Sequence, residues 1–338
     1  MKRIKVIQIG IGHDHATAVL DSLLRQNNVF DVAALAVPET EKTDFAERLE
    51  NYRTKVSVMS VSEAFELCGV DAAVIETEEE NLTAHAYSAV EKGLAVHMDK
   101  PGGIVPAEFE KLINLAKEKQ AVLHIGYMYR YNETINEAIK KAKSGELGEV
   151  YCVEAHMDCW HPCQKRQWLS RFPGGMMFYL GCHLIDIILR VMGDPKEIIP
   201  MNQSTGIDGI TSEDYGFVVF KYKNGISFAK TCANELGGFE RRQLVICGSK
   251  GTIELRPLEE YNKNWELYTG IKFTSYEKGR DWYYSAPVVN SKPLNRYDNM
   301  MHSFAKMACG DMKNPFDYDY ELKLYKTILL SCGITNKK

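Results

Sequence analysis

The chain opens on an alternation that few folds accommodate: short β-branched runs separated by helical patterns. Ile4-Lys5-Val6-Ile7-Gln8-Ile9 reads as a strand, Gly10-Ile11-Gly12 as a tight turn, and Ala16 to Arg25 as a helix. Val29 to Val37 is a second strand, followed by a helix over Phe45 to Tyr52 and a strand at Val56-Ser57-Val58. Ser62 is placed to cap a helix reaching Leu67, and Asp71 to Glu76 reads as the fourth strand. The acidic run Glu78-Glu79-Glu80 suits the first turn of a helix extending to Glu91. Leu94 to Met98 is the fifth strand, Pro106 opens a helix, and Ala121 to Ile125 is the sixth strand. Strands alternating with helices predict a doubly wound parallel sheet over residues 1–125.

Strand, glycine turn and helix in that order give the GxG pattern a physical meaning. Gly10 permits the tight turn, and Gly12 lets backbone approach a pyrophosphate at the helix N-terminus. There, unpaired N–H groups and the helix dipole favour an anion. The third glycine of the dinucleotide fingerprint is replaced by His15. Asp14 is the expected N-cap. His13 and His15 are assigned to phosphate contact rather than to a metal. Glu39, just beyond the second strand, is the acid nearest to where ribose hydroxyls would lie, and the absence of a following arginine favours NAD over NADP.

A second signal sits after the fifth strand, in Asp99-Lys100-Pro101-Gly102-Gly103. Proline keeps Lys100 extended. A lysine at the carboxyl end of a parallel strand lies where open α/β sheets bind ligands, and it can hold a reacting oxygen and move its proton.

From Val150 the pattern changes to successive strands: Val150 to Met157, Tyr215 to Tyr222, Ile226 to Cys232, Gln243 to Cys247 and Thr252 to Leu255. This predicts, for residues 126–338, an α+β domain with a large, mostly antiparallel sheet. A helix over Asn132 to Ser144 precedes it. Another, from about Gly174 through Leu189, is too apolar for a surface and carries Tyr179, His183 and Asp186 at i, i+4 and i+7. Arg166, Trp168 and Arg171 lie just before it, on the expected substrate side. The aromatic stretch Trp265, Trp282, Tyr283 and Tyr284 has no assigned place, and two amphipathic helices, Tyr297 to Lys306 and Glu321 to Ser331, close the second domain.

Composition narrows the classes. With 338 residues, 45% hydrophobic, 25% charged and a net charge of −4, the chain resembles an ordinary two-domain globular protein with no basic stripe for nucleic acid. No apolar run reaches the roughly 18 residues a membrane span needs. No signal segment precedes the first strand, and nine scattered cysteines without a CxxC pair fit the cytoplasm.

Four stretches resemble the Gfo/Idh/MocA family of glucose–fructose oxidoreductase and inositol dehydrogenase relatives. They are Gly10-Ile11-Gly12; Asp99-Lys100-Pro101, similar to its Glu-Lys-Pro motif; Gly181-Cys182-His183-Leu184-Ile185-Asp186, similar to its Gly-x-His-x-x-Asp helix; and Gly248-Ser249-Lys250-Gly251-Thr252-Ile253-Glu254. The resemblance implies a Rossmann domain with NAD, or NADP in its place, and an open-faced α+β domain. It also implies a sugar, cyclitol or polyol substrate and a homodimer or homotetramer. It implies Lys100 and His183 as catalytic, with Tyr179 standing where many relatives have an aspartate. The cofactor side comprises Gly10, Ile11, Gly12, His13, His15, Glu39, Thr77, Lys100 and Pro101. The substrate side comprises Lys100, Trp168, Tyr179, His183 and Asp186. Val37 stands where the family has an acid, and Thr77-Glu78 where it has Thr-Pro.

Two other readings share these residues. His156, Asp158, Cys159, His161 and Cys163 crowd one segment and suggest a metal-assisted lyase or hydrolase with bound NAD. The altered glycine and carboxylate positions suggest a dinucleotide-binding sensor without turnover.

Overall fold

A computed structural model describes residues 2–275 and 286–334. Trp282, Tyr283 and Tyr284 lie outside the described residues. The chain divides into two compact units: residues up to Met128 with Arg296–Lys323, and Tyr129–Asn295 with the chain from Leu324 onward.

The first unit holds a six-stranded parallel sheet of β1 (Ile4–Ile9), β2 (Phe30–Ala36), β3 (Val58–Met59), β4 (Ala72–Ile75), β5 (Ala95–Met98) and β6 (Leu123–Ile125). Its order is β3-β2-β1-β4-β5-β6, the Rossmann order, which reverses between β1 and β4. Central strands are covered on both faces, so they are apolar throughout rather than alternating; all four residues of β4 are buried. The crevice at the carboxyl ends of β1 and β4 is where such a sheet binds its ligand.

Several local expectations are corrected here. The helical region after β2 begins at Glu39, because extended Pro38 can precede a helix and Glu39 and Glu41 suit its first turn. It breaks at Phe45, giving Glu39–Asp44 and Ala46–Glu50 instead of one helix to Tyr52. Ser60, not Ser62, caps the next helix through a capping box with Glu63. The acidic run Glu78-Glu79-Glu80 precedes its helix, which spans Leu82–Glu91. Asp14 does not cap Ala16–Arg25; His15 holds that position, and Asp14 lies 3.6 Å from Arg48.

Arg296–Lys323, placed in the second domain by sequence, belongs to the first unit. Its helix Asp298–Ala308 presents Asp298 to Ser22 Oγ at 2.6 Å and Arg25 Nη2 at 2.7 Å, and stacks Phe304 on His124. Long-range pairing of this kind carries no periodic signature in sequence.

The second unit is built on β7 (Val150–His156), β8 (Glu197–Pro200), β9 (Tyr215–Lys221), β10 (Ile226–Cys232), β11 (Gln243–Gly248) and β12 (Gly251–Leu255). A small ribbon, β13 (Glu260–Tyr261) and β14 (Leu267–Tyr268), precedes β15 (Gly270–Ser275) and β16 (Val289–Asn290). The eight-stranded sheet runs β16-β15-β12-β11-β7-β10-β9-β8 and is antiparallel except where β7 meets β10. Buried and half-buried residues alternate along β9 and β11, as expected of a sheet with one packed face.

The buried helix is not continuous. Met177–Gly181 is a π-helical turn leading into the α-helix Cys182–Met192. Gly181, at the end of the turn, packs against the Met177 side chain. π turns inside helices recur at functional sites.

Candidate active site

The turn after β1 is held from three sides. Gln8, fully buried on β1, donates through Nε2 to the carbonyls of Gly10 and Ala16, each at 3.2 Å. Arg48 Nη1 donates to the carbonyls of Ile11, Gly12 and His13, each at 3.2 Å. The Glu41 carboxylate accepts from Ile11 N–H at 2.7 Å and Gly12 N–H at 2.9 Å through one oxygen. Its other oxygen accepts from Glu78 N–H at 2.9 Å. Gly10 must be glycine: its φ is +91° and a Cβ would lie 2.5 Å from Thr77.

These contacts test whether the turn fits a dinucleotide. Its N–H groups converge on an anion, with the Glu41 carboxylate standing where a phosphate or ribose oxygen would accept. The turn therefore suits an anion, and a bound diphosphate would displace the Glu41 carboxylate from it. Glu39 does not reach the turn: it is exposed and paired with Lys42. Glu41, two residues on, is the acid that meets the turn. Burial raises the Glu41 carboxyl above its usual range, opposed by the three N–H bonds.

Beside the turn, β4 and β5 end in Glu76-Thr77 and Asp99-Lys100-Pro101. Glu76, Thr77, Asp99, Lys100 and His13 are all buried, whereas His15 is half-buried. Lys100 N–H donates to Asp99 Oδ1 at 2.6 Å. His15 Nδ1 lies 3.0 Å from Asp99 Oδ2, and His13 Nδ1 lies 3.3 Å from the same oxygen. Burial lowers His13 to about 3, leaving it neutral. Burial and the nearby Asp99 push Glu76 well above the carboxylate range. Burial disfavours charge on Asp99 too, but the two imidazoles and Lys100 hold it well below that range. The structure thus gathers Gly10, Ile11, Gly12, His13, His15, Thr77, Lys100 and Pro101 at the carboxyl ends of β1, β4 and β5.

In the second unit, His183 is buried and meets Tyr129 edge-on at 5.2 Å between ring centroids. Tyr129 in turn donates to Glu259 at 2.6 Å. Asp186 lies three residues on, in the same helix. Arg130 takes its carboxylate with Nε at 3.1 Å and Nη2 at 2.9 Å. Tyr179 packs into an aromatic group with Trp168 and Phe172, and Lys165 Nζ sits 3.5 Å over the Trp168 ring. Arg166, read as a cleft residue, is buried and paired with Asp208 and Asp214.

The segment from His156 to Cys163 is drawn into other contacts: Asp158 binds Lys230 at 3.0 Å, and His161 N–H donates to the Ala233 carbonyl at 2.8 Å. Among the described residues, it does not bring three metal-ligating atoms together.

Comparison with known proteins places these units. Residues 4–127 match an oxidoreductase family with an NAD-binding Rossmann fold, and residues 135–254 match the GFO/IDH/MocA C-terminal domain. The oxidoreductase YdgJ of Escherichia coli is 27% identical over 202 residues, 58% of each chain, so this chain spans under two thirds of that relative. Myo-inositol 2-dehydrogenase of Thermotoga maritima is 20% identical over 74% of each chain. The crystal structure of aldose-aldose oxidoreductase from Caulobacter crescentus, complexed with glycerol, superposes with a TM-score of 0.77 at 17% identity over 98% of each chain.

Proposed function

The chain belongs to the GFO/IDH/MocA oxidoreductase family, with NAD or NADP as its cofactor, and on that premise we propose that it oxidises or reduces a sugar, cyclitol or related small polyol. The bound nicotinamide supplies the acceptor or donor of the hydride. The observation that carries the reading is the buried lysine at the carboxyl end of β5, set beside a glycine turn whose N–H groups converge on an anion.

The residue roles follow from their chemistry. The Gly10-Ile11-Gly12 turn binds the cofactor's diphosphate in place of the Glu41 carboxylate, which turns to its ribose hydroxyls. Lys100 donates a hydrogen bond to the substrate oxygen and stabilises the charge that grows on it. His183 accepts the hydroxyl proton during oxidation and returns it during reduction. Tyr179 supplies a polar hydroxyl among aromatic rings. Relatives named for inositol and aldose chemistry support a polyol substrate. A homodimer or homotetramer in the cytoplasm belongs to the same reading, and sedimentation of the purified protein tests the assembly. No helix among the described residues is long and apolar enough to cross a membrane.

A panel of sugars, cyclitols and polyols, followed by reduced-nicotinamide absorbance with NAD and with NADP, tests the reaction. Substrate-dependent turnover on at least one polyol is expected; binding of cofactor with no turnover across the panel contradicts it. Glu41 also predicts cofactor choice. A carboxylate beside the ribose repels a 2′-phosphate, so Glu41→Ala should shift the NAD-to-NADP affinity ratio toward NADP by on the order of 10-fold or more. Calorimetric titration with both cofactors measures that ratio.

A further inference from the structure

We propose that His13, His15 and Asp99 form a binding site for one divalent transition-metal ion, where the turn after β1 meets the end of β5. Two imidazoles and a carboxylate each offer a ligand atom, and the three atoms lie within 4.8 Å of one another. The spacings from Asp99 Oδ2 are 3.0 Å to His15 Nδ1 and 3.3 Å to His13 Nδ1. Ligands bound at about 2.0–2.2 Å to one ion sit roughly 2.9–3.5 Å from each other, so these two edges already have the right length.

The protons argue for a cation as well. The His15 backbone N–H donates to His13 Nδ1 at 3.2 Å, so that nitrogen carries a lone pair rather than a hydrogen, and a bound ion would take that lone pair in place of the N–H. The Asp99 oxygen faces the same nitrogen. A lone pair and a carboxylate oxygen repel; an ion between them turns both into ligands.

Glu76 stands beside this group. It is fully buried, and neither carboxylate oxygen has a hydrogen-bond partner. One oxygen lies 3.8 Å from His13 Nδ1 and the other 3.4 Å from His97 Nε2. A buried carboxyl without donors is relieved by protonation, which burial and Asp99 favour here, so Glu76 adds a nearby oxygen to the site and no separate demand for a cation. Glu79 Oε1 stands 3.6 Å from His13 Nε2, the carboxylate-behind-histidine arrangement that orients metal-binding imidazoles.

Two nitrogens and one carboxylate, with no thiolate in the group, suit Zn²⁺, Fe²⁺, Co²⁺ or Ni²⁺. Calcium and magnesium prefer shells made of oxygen. The bound ion would pin the glycine turn to the end of β5. This inference goes beyond the proposed reaction and is tested without cofactor or substrate.

The test uses tag-free full-length protein, stripped with chelator and titrated with Co²⁺. We expect one Co²⁺ per chain, visible d–d absorption, and displacement by Zn²⁺. His15→Ala and Asp99→Asn should each weaken Co²⁺ binding by at least about 100-fold, with circular dichroism confirming the fold. No saturable Co²⁺ binding by the wild type, or wild-type affinity in both folded variants, overturns the proposal. Where the variants do not fold, X-ray absorption of the Co²⁺-loaded wild type decides. Two imidazole ligands uphold the site, and sulfur ligation or an all-oxygen shell overturns it.

Discussion

Replacing Lys100 with methionine is expected to lower kcat by about 100- to 10,000-fold, the range that loss of a positioned proton-transfer group produces. Dinucleotide affinity should change little, because the N–H groups of Ile11 and Gly12, not the Lys100 amine, converge on the anion position. Methionine keeps an unbranched apolar stem in a site where Lys100 is buried, so packing is largely retained while the charge is removed. Steady-state turnover and cofactor titration on the same preparation separate the two effects. A Lys100→Met protein with wild-type kcat would remove the lysine from the chemistry.

The second large effect lies in the second unit and concerns stability. Arg130 and Asp186 form a two-point ion pair whose side chains are each 1% exposed. Removing one member strips the other buried charge of this two-point pairing. Asp186→Ala should therefore cost about 3–5 kcal/mol, with Arg190, 3.9 Å from the same carboxylate, also losing a neighbour. That is a large part of the roughly 5–15 kcal/mol that holds a domain folded. The double replacement Arg130→Met with Asp186→Leu should be far milder, because it removes both charges and keeps volume. Urea denaturation of the three proteins checks this order. Equal stability of Asp186→Ala and wild type would mean the pair is not desolvated.

Both sites show what local sequence carries and what it does not. The six strands of the first sheet, the glycine turn and the lysine after β5 are set by local pattern: β-branched runs, turn residues and proline. Each was legible because the chain a few residues away determines it. The anchors of the turn were not. Gln8, Glu41 and Arg48 act through contacts with residues up to 37 positions distant, which no periodicity encodes. Gln8 did leave a signal, being an amide inside an otherwise mostly apolar parallel strand, where a buried polar group must find a partner. Glu41 was overshadowed by Glu39, which is nearer the strand; the helix that begins at Glu39 turns one acid outward and the other inward. Arg130 is similar. Its partner Asp186 stood out in the Gly-x-His-x-x-Asp stretch, yet nothing local announces an arginine 56 residues earlier. The break at Met177–Gly181 followed the same logic, since an apolar run reads as one continuous helix.

The account stands on a turn that receives a dinucleotide at the carboxyl ends of β1 and β4. Titrating the purified full-length chain with reduced nicotinamide dinucleotide, and following its fluorescence, measures that directly. Saturable binding at one site per chain, retained in Lys100→Met, is the expected result. Absence of saturable binding for both NADH and NADPH would contradict the account at its base.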